Sequence, residues 1–363
     1  MRESFLYMNI YDELKRNIDQ GVYPVGGKIP SDEELVKKFE VSRITVKKAL
    51  GMLKEEGMIR RTPGVGTFVK NKSAANQEDA KADAFQSANT IGLVMEHVSS
   101  SFGLDLLYKI DREAEKKGYK LITRFSYYSR EKETQEIDFL VDSNISGLII
   151  MPCHGVYYNP KILKLILEGF PVVVIDKKLE GISVPSVRTD NIQAVKTLVK
   201  VLRNQGCRKL GFISTEIVGT SSLQERRNGF YEAAGEYAVQ TLPECILAFD
   251  ADIYGHAAKE ENVDKAARYL EENKGKVDGL VCAEYSLVPS VMEALRRTGA
   301  KVGESIKICC IDGPGENVIT HMKQNEIEMA DKIVRLLMAQ IKGANAEKDI
   351  LVPAVLVDKE QET

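Results

Sequence analysis

Residues 29–35 read IPSDEEL and residues 41–50 read VSRITVKKAL, and these two segments decide the fold of the N-terminal part of the chain. In the first segment, Ser31 and Glu34 form the S-x-x-E pattern of a capping box, which satisfies backbone N–H groups at the start of a helix. In the second, Ser42 is placed to cap a helix whose apolar residues recur at helical spacing. The two segments therefore predict two helices separated by a short turn.

The residues on either side extend this pair into a larger motif. Residues 8–20 place apolar side chains at helical spacing, which predicts a preceding helix. After the third helix, residues 58–62 and 67–69 are typical of strands, and the glycine-containing residues 63–66 lie between them. Helix, helix, turn, helix and hairpin within residues 1–70 predict a winged helix-turn-helix domain.

Basic side chains concentrate where such a domain would meet DNA. Residues 1–72 carry 14 Lys+Arg against 10 Asp+Glu, a net charge of +4, whereas the rest of the chain has a net charge of -7. Arg43, Lys47 and Lys48 crowd the first turns of the third helix, and a helix N-terminus can enter the major groove. A solvated helix face would explain these charges alone, but the basic hairpin nearby favours a surface that binds nucleic acid.

The rest of the chain has a different organisation. Residues 71–89 offer little to bury and are predicted to be an interdomain linker. From residue 90 onward, apolar segments of strand length alternate with helical segments. The predicted strands include residues 91–95, 120–125, 147–151, 171–176, 209–214, 279–283 and 306–311. Continuously apolar strands in such an alternation indicate parallel sheets covered on both faces, and two such runs predict two lobes.

Composition argues against several classes of protein. The chain has no run of 18 or more apolar residues and no secretory signal, so we expect a cytoplasmic protein without membrane contact. The six cysteines lack C-x-x-C spacing and are expected to be reduced core thiols. The four histidines lack metal-ligand spacing, so neither a metal site nor a cofactor is expected. Phosphate-loop and nucleophile-elbow motifs are absent, which argues against an enzyme.

The two segments quoted first, with the hairpin that follows them, resemble the winged-helix domain of the GntR family. The resemblance covers about residues 8–70. It implies that Arg43 and Thr45 contact bases or phosphates and that Gly66 lies at the tip of the wing. The expected DNA-binding residues are Ser31, Ser42, Arg43, Thr45, Lys47, Lys48, Arg60, Arg61 and Gly66.

Two positions depart from the pattern of that family. Lys47 stands where the family usually carries arginine, which preserves the positive charge. Glu33 also stands where arginine is common. A frequent phosphate contact is therefore missing, and we expect a carboxylate at this position to repel phosphate.

The larger part of the chain resembles the sugar-sensing domain of the LacI/GalR regulators, which is similar to a periplasmic binding protein. The motifs that carry this resemblance are VRTDN at 187–191, GCRKLGFI at 206–213, RRNGF at 226–230, DGLVC at 278–282 and CID at 310–312. The resemblance implies two lobes joined by three crossovers within an effector-binding and dimerisation domain. That domain is expected at 90–363, with lobe one at about 90–186 and 313–343 and lobe two at about 187–312 and 344–358.

The same resemblance implies an effector site in the cleft between the lobes, at the carboxyl ends of the strands. Sugar hydroxyls are bound by arginine, carboxylate and hydroxyl groups, and an aromatic ring can stack on the sugar. The candidate effector-binding residues are Phe102, Asp176, Thr220, Ser222, Arg226, Glu284 and Asp312. Glu284 departs from the usual Asn-Asp pair of the family. A structural ion pair, a strand-end cap or core packing would explain some of these residues without a ligand.

A GntR-type reader joined to a LacI-type sensor resembles the arabinose repressor subgroup. The resemblance implies a repressor of carbohydrate-utilisation genes that binds operator DNA as a homodimer. Its effector is expected to be a sugar, and L-arabinose or another pentose is the first candidate. The alternatives are a cytosolic sugar-binding sensor and an α/β enzyme without DNA-directed function.

Overall fold

The computed structural model describes residues 3–62, 66–70, 89–155, 157–215, 219–248, 259–303, 305–313, 319–344 and 349–358. The side chains of residues 3–5, 55, 61 and 62 also lie outside this description. The expectations for the linker at 71–88, for the wing residues 64–65 and for the side chain of Arg61 therefore fall outside the described residues. Backbone contacts divide the chain into two compact units, residues 1–87 and residues 88–363.

The first unit has the helix order predicted for a winged helix-turn-helix. Its described elements are α1 (Glu3–Asp19), β1 (Lys28–Ile29), α2 (Asp32–Phe39), α3 (Arg43–Glu55), β2 (Ile59–Thr62) and β3 (Gly66–Val69). The predicted capping box is confirmed, because the Glu34 N–H donates to Ser31 Oγ at 3.3 Å and the Ser31 N–H donates to Glu34 Oε2 at 2.7 Å. Strand β1 was not predicted, since two residues are too short to show a periodicity.

The sheet of this unit is antiparallel and has the order β1-β3-β2. Its core is formed by apolar side chains from all three helices and from the strands. The fully buried members include Ile10, Leu14, Leu35, Val46, Leu50, Leu53 and Ile59. The buried stripe of α3 fixes which of its faces is left for solvent.

Lobe one of the second unit is a parallel sheet with helices on both faces. Its described elements are β4 (Thr90–Met95), α4 (Leu104–Lys116), β5 (Lys120–Phe125), α5 (Arg130–Asp142), β6 (Gly147–Ile150), α6 (Pro160–Leu167), β7 (Val172–Ile175), β8 (Ser186–Thr189), α11 (Glu326–Ile341) and β15 (Asp349–Val352). The strand order is β15-β8-β7-β6-β4-β5, and every pairing is parallel. Because all the strands run in the same direction, their carboxyl ends lie along one edge of the sheet.

Lobe two repeats the plan. Its described helices and strands are α7 (Asn191–Asn204), β9 (Lys209–Ser214), α8 (Ser221–Glu236), β10 (Gln240–Thr241), β11 (Cys245–Ile246), α9 (Glu260–Glu272), β12 (Gly279–Cys282), α10 (Val288–Thr298), β13 (Lys307–Ile311), β14 (Thr320–Lys323) and β16 (Val355–Val357). The main strand order is β10-β9-β12-β13-β14-β16, with β11 also paired to β9 and only β14–β16 antiparallel. The predicted two-lobed α/β fold is confirmed.

The expected lobe boundaries at 186/187, 312/313 and 343/344 were wrong. Strand β8 lies in lobe one, β14 lies in lobe two, and the final crossing falls between β15 and β16. The first two errors have a common cause, because β8 and β14 contain Arg188 and His321 and lack the continuous apolar pattern of the other strands. Arg188 is buried in β8 because it forms ion pairs with Glu225 and Asp349.

The cysteines follow the alternation of the strands. Adjacent Cys309 and Cys310 point to opposite faces of the lobe-two sheet, and each is buried in a different apolar cluster. Five of the six are buried, whereas Cys153 is half-buried, and all six are free thiols. Among the residues that the structure describes, no helix combines the length and apolarity needed to cross a membrane.

Helices α7 and α8 approach each other closely at Gly229. A Cβ atom at this position would lie 2.6 Å from the carbonyl oxygen of Ile192 and 3.0 Å from its Cα. Both neighbours are backbone atoms, so a side chain at Gly229 requires the two helices to move apart. Gly235 lies on the same helix with open space around its position.

We expect Gly229→Ala to lower the free energy of unfolding by about 1–3 kcal/mol through overpacking. Gly235→Ala is the matched control and is expected to raise stability by about 0.5–1 kcal/mol, because alanine favours the helix. Thermal unfolding of the two variants and the unmodified protein measures both effects. Equal melting temperatures for the two variants would contradict the close approach of α7 and α8 at Gly229.

Candidate DNA-reading surface and effector cleft

The start of α3 is fixed by its own cap. The Thr45 N–H donates to Ser42 Oγ at 3.2 Å, and the Ser42 and Thr45 hydroxyls lie 2.9 Å apart. These contacts hold Ser42 and Thr45 at the first turn, beside the exposed side chain of Arg43. Ser31 similarly caps α2. The two predicted serines therefore shape the helix starts, and their contact with DNA stays a prediction.

The basic residues differ in how they are held. Arg43 Nη2 lies 2.6 Å from Glu33 Oε1, so the unusual carboxylate is paired with an expected DNA-binding residue. The Lys48 ammonium lies 4.1 Å from the centre of the Tyr7 ring, and this cation–π contact joins α3 to α1. Lys47 is half-buried.

Two predicted residues belong to the hairpin. Arg60 is exposed, and its guanidinium carbon lies 5.7 Å from the centre of the Phe68 ring on the neighbouring strand. Gly66 opens β3 with a φ of 139°, which L side chains rarely adopt. A Cβ there would also lie 2.4 Å from a carbon of the Lys28 side chain. Glycine is therefore required by the backbone at this point of the hairpin.

The second unit has a polar cavity of about 170 Å³ between its lobes, at the carboxyl ends of the strands. Six of the seven candidate effector residues line it, namely Phe102, Asp176, Ser222, Arg226, Glu284 and Asp312. Thr220 does not line the cavity, but its hydroxyl lies 2.6 Å from Nδ1 of the lining residue His154. The structure therefore brings together residues that are far apart in the chain.

Arg226 is held rigidly at the centre of this cluster. Its side chain is buried; Nε donates to Asn191 Oδ1 at 2.8 Å and Nη1 donates to the Ala283 carbonyl at 3.0 Å. Among the described residues, no hydrogen bond involves Nη2. Both anchors belong to lobe two, so the guanidinium is positioned independently of the other lobe and can bind a ligand oxygen.

The carboxylates beside this arginine are strongly desolvated. Burial raises the pKa of Asp312 to about 7, against the opposing effects of Arg226 and of hydrogen bonds from Gln324. Gln324 Nε2 lies 3.1 and 3.2 Å from the two carboxylate oxygens. Burial likewise raises the pKa of Glu284, while Arg226 lowers it. A ligand whose hydroxyl groups donate hydrogen bonds to these carboxylate oxygens would replace the hydrogen bonds to water that burial has removed.

Sequence reasoning missed a second group of lining residues. Lys177 donates to Glu96 and, at 2.7 Å, to the Pro152 carbonyl, which makes a buried ion pair at the wall of the cavity. The His154 N–H donates to Glu96 Oε1 at 2.9 Å. Burial raises the pKa of Glu96 to about 7, and Lys177 opposes that effect. Glu96 directly follows β4, and Lys177 is the second residue after the end of β7. Their positions at strand ends were the one signal in the sequence that could have found them.

An aromatic group completes the lobe-one wall. Tyr128 OH lies 2.5 Å from His97 Nδ1, and the Tyr128 ring stacks on His154 with centroids 6.1 Å apart. Tyr128, Asp176 and Asp312 have φ values of 61°, 64° and 60°, which are uncommon for residues other than glycine. Backbone strain of this kind is frequent at ligand sites. Tyr128 offers the cavity a second aromatic face beside Phe102.

The two lobes also touch directly at the rim of the cleft. His154 of lobe one contacts the hydroxyl of Thr220 at 2.6 Å, and the Lys178 N–H donates to Ser221 Oγ at 2.8 Å. Both partners in lobe two lie at the start of α8, six and five residues before Arg226. The contacts join the lobes on the side of the cleft where the arginine is held.

The raised pKa of Asp312 predicts a pH dependence of stability. The folded state keeps a proton that the unfolded carboxyl loses above its ordinary pKa, so this stabilisation is complete below about pH 4 and is lost as pH rises through about 7. We expect the Asp312 contribution to lower the melting temperature as pH rises from 5 to 8, whereas burial lowers the pKa of His154 and acts in the opposite direction below about pH 6.5. Relative to the unmodified protein, Asp312→Asn should therefore lose less melting temperature, or gain more, across this range, which changes the slope of melting temperature against pH. Melting curves across this range measure both effects.

The exposed Asp111→Asn is the control and should leave the slope as it is in the unmodified protein. A slope that Asp312→Asn and Asp111→Asn leave equally unchanged would show that Asp312 is ionised throughout this pH range.

Comparison with known proteins gives two domain matches. Residues 6–69 match the family described as bacterial regulatory proteins, gntR family, and residues 91–345 match the periplasmic binding protein domain. The chain is 27% identical to an arabinose metabolism transcriptional repressor from Geobacillus stearothermophilus, over 96% of this chain and 95% of the relative. It is 23% identical to a repressor of the same name from Halalkalibacterium halodurans, over 97% and 95%.

A solved structure supports the fold assignment. A regulatory protein of the LacI family from Chloroflexus aggregans superimposes with a TM-score of 0.63 and 18% identity, over 74% of this chain and 96% of that chain. At this identity the likeness concerns the fold. The domain matches span both units, and the second covers more than half of the chain. The chain therefore belongs to the periplasmic binding protein domain family, and its N-terminal gntR-family domain makes it a DNA-binding transcriptional regulator.

Proposed function

We propose that this regulator is a cytoplasmic, homodimeric repressor of carbohydrate-utilisation genes, that it is not an enzyme, and that a sugar, first of all L-arabinose, releases it from its operator. The observation that carries the proposal is the cavity around Arg226, which joins a fixed guanidinium to desolvated carboxylates in a chain that also has a DNA-binding domain.

The chemistry of the cavity fits a polyhydroxylated ligand. A hydroxyl group is both a donor and an acceptor, and neighbouring hydroxyls on a sugar need both kinds of partner. Arg226 supplies donors, while Asp176, Glu284 and Asp312 supply acceptors. The Phe102 and Tyr128 rings offer apolar surface for the C–H face of a sugar. We propose L-arabinose first because the two full-length relatives are named for arabinose metabolism.

We also propose a set of residues that contact DNA, from their positions in the first unit. Arg43, Thr45, Lys47 and Lys48 occupy the first turns of α3, the part of a helix-turn-helix that reaches base edges in the major groove. Arg60 and Gly66 are proposed to bring the hairpin to the adjacent backbone. A dimer would present two such surfaces to a two-fold symmetric operator.

Exposed apolar residues on lobe one support self-association. Leu104, Tyr108 and Ile327 are 42%, 64% and 56% exposed. Glu326 accepts hydrogen bonds from the Gly103 and Leu106 N–H groups at 2.9 and 2.8 Å, so Leu104 and Ile327 lie at neighbouring helix starts. Exposed large apolar residues that lie near one another are more frequent at protein interfaces than elsewhere on a surface.

We expect L-arabinose to raise the melting temperature, because a ligand at 100 times its Kd stabilises by about 2.7 kcal/mol. Arg226→Ala should weaken binding about 10- to 100-fold through loss of a charged hydrogen bond. Arg227→Ala is the matched control, since Arg227 is the next residue on α8 and pairs with Glu244 outside the cavity. Differential scanning fluorimetry and titration calorimetry with pentoses, hexoses and sugar phosphates measure these effects. Equal losses in the two variants, or no shift with any sugar, would overturn the effector assignment.

We expect the same sugar to lower DNA affinity at least about tenfold. A ligand shifts a two-state equilibrium only by its differential affinity, so release requires the sugar to bind the DNA-free conformation more tightly. Fluorescence anisotropy with a duplex selected from a random library, with and without saturating sugar, measures the change. The Arg226→Ala variant should bind that duplex and require about 10- to 100-fold more sugar for release. Tighter DNA binding in the presence of sugar would reverse the proposed direction of control.

A further inference from the structure

An ion pair connects the starts of the two helices that form the helix-turn-helix. Arg43 is the first residue of α3 and Glu33 is the second residue of α2. Arg43 Nη2 lies 2.6 Å from Glu33 Oε1, and the two side chains are 49% and 71% exposed. Both are therefore at the surface, and exposed ion pairs contribute little to folding stability. Because the ion pair contributes little to stability, we expect its role to lie in DNA recognition.

The helix caps determine where this pair lies. Ser31 and Ser42 cap α2 and α3 and so fix the backbone of each first turn. The Cα positions of Glu33 and Arg43 are therefore fixed relative to their helices. The Glu33 carboxylate restrains one nitrogen of the long Arg43 side chain. A guanidinium has five N–H donors in a planar fork, so one group can bind a carboxylate and a base edge together.

The carboxylate also changes which part of DNA suits Arg43. An arginine without such a partner can contact any phosphate, and phosphate contacts carry no sequence information. A neighbouring carboxylate disfavours phosphate by charge repulsion. Guanine presents O6 and N7 as two neutral acceptors in the major groove and matches arginine well. The pair therefore favours a base edge over the backbone.

We propose that Glu33 is a positioning residue for sequence readout, which orients the Arg43 guanidinium toward guanine and keeps it away from phosphates. The proposal rests on the proposed DNA-reading role of Arg43 and deepens it. Glu33 would then increase discrimination between sequences while lowering affinity for DNA in general.

Selection from a random duplex library tests this with the full-length protein and its variants. We expect the unmodified protein to enrich a motif, and Arg43→Ala to lose the guanine preference at one position of each half-site. Glu33→Gln should reduce the guanine preference at that same position by at least about threefold and leave other positions unchanged. It should also tighten binding to an unselected duplex, with a steeper dependence on salt.

Glu13→Gln is the matched control, because Glu13 forms an ion pair of equal length, 2.6 Å, with Lys38 of α2. It should change neither the motif nor the salt dependence. Circular dichroism of each variant verifies the fold.

Three results would overturn the proposal, and they differ from one another. If the unmodified protein enriches no motif, the proposed operator-binding function fails as well. If Arg43→Ala keeps every preference, Arg43 reads no base and Glu33 has nothing to orient. If Glu33→Gln tightens binding to all duplexes equally and leaves the guanine preference intact, the carboxylate is a general competitor for Arg43 and does not position it.

Discussion

The effector-binding unit depends on how one buried guanidinium is held. Arg226 is fixed to Asn191 and to the Ala283 carbonyl, both within lobe two, and its charge opposes the desolvation of Glu284 and Asp312. Without a cation at this place, the carboxylates of Glu284 and Asp312 would lose the charge that stabilises their ionised forms. The arginine therefore makes a polar cavity compatible with a folded protein. A ligand then binds to groups whose position is already determined.

This arrangement explains why the fold and part of the cleft could be predicted from the sequence. Buried parallel strands are continuously apolar, so the sheets were visible in the sequence. Arg226 and Asp312 belong to motifs shared with a known family, and both line the cavity. Strand β8 was missed because Arg188 interrupts its apolar pattern, and only the ion pairs with other elements explain how this strand is buried.

The lobe-one wall was harder to predict, for a physical reason. Glu96, Tyr128, His154 and Lys177 each follow a different strand or lie in a loop, and none forms a motif with its sequence neighbours. Their proximity results from the order of strands in the sheet, which alternation alone does not specify. The positive φ of Tyr128 is also a product of tertiary structure. Nothing about a tyrosine in the sequence indicates that its φ is positive.

The contacts of His154 with Thr220 and of Lys178 with Ser221 have a consequence for the sensitivity of the regulator. They join the lobes through groups of the protein alone, so they stabilise this arrangement of the lobes before any ligand contact is counted. The concentration of effector needed for a response depends on this contribution as well as on the cavity. Thr220 and Ser221 are therefore places where substitution can tune the threshold of a response while the identity of the recognised molecule stays the same.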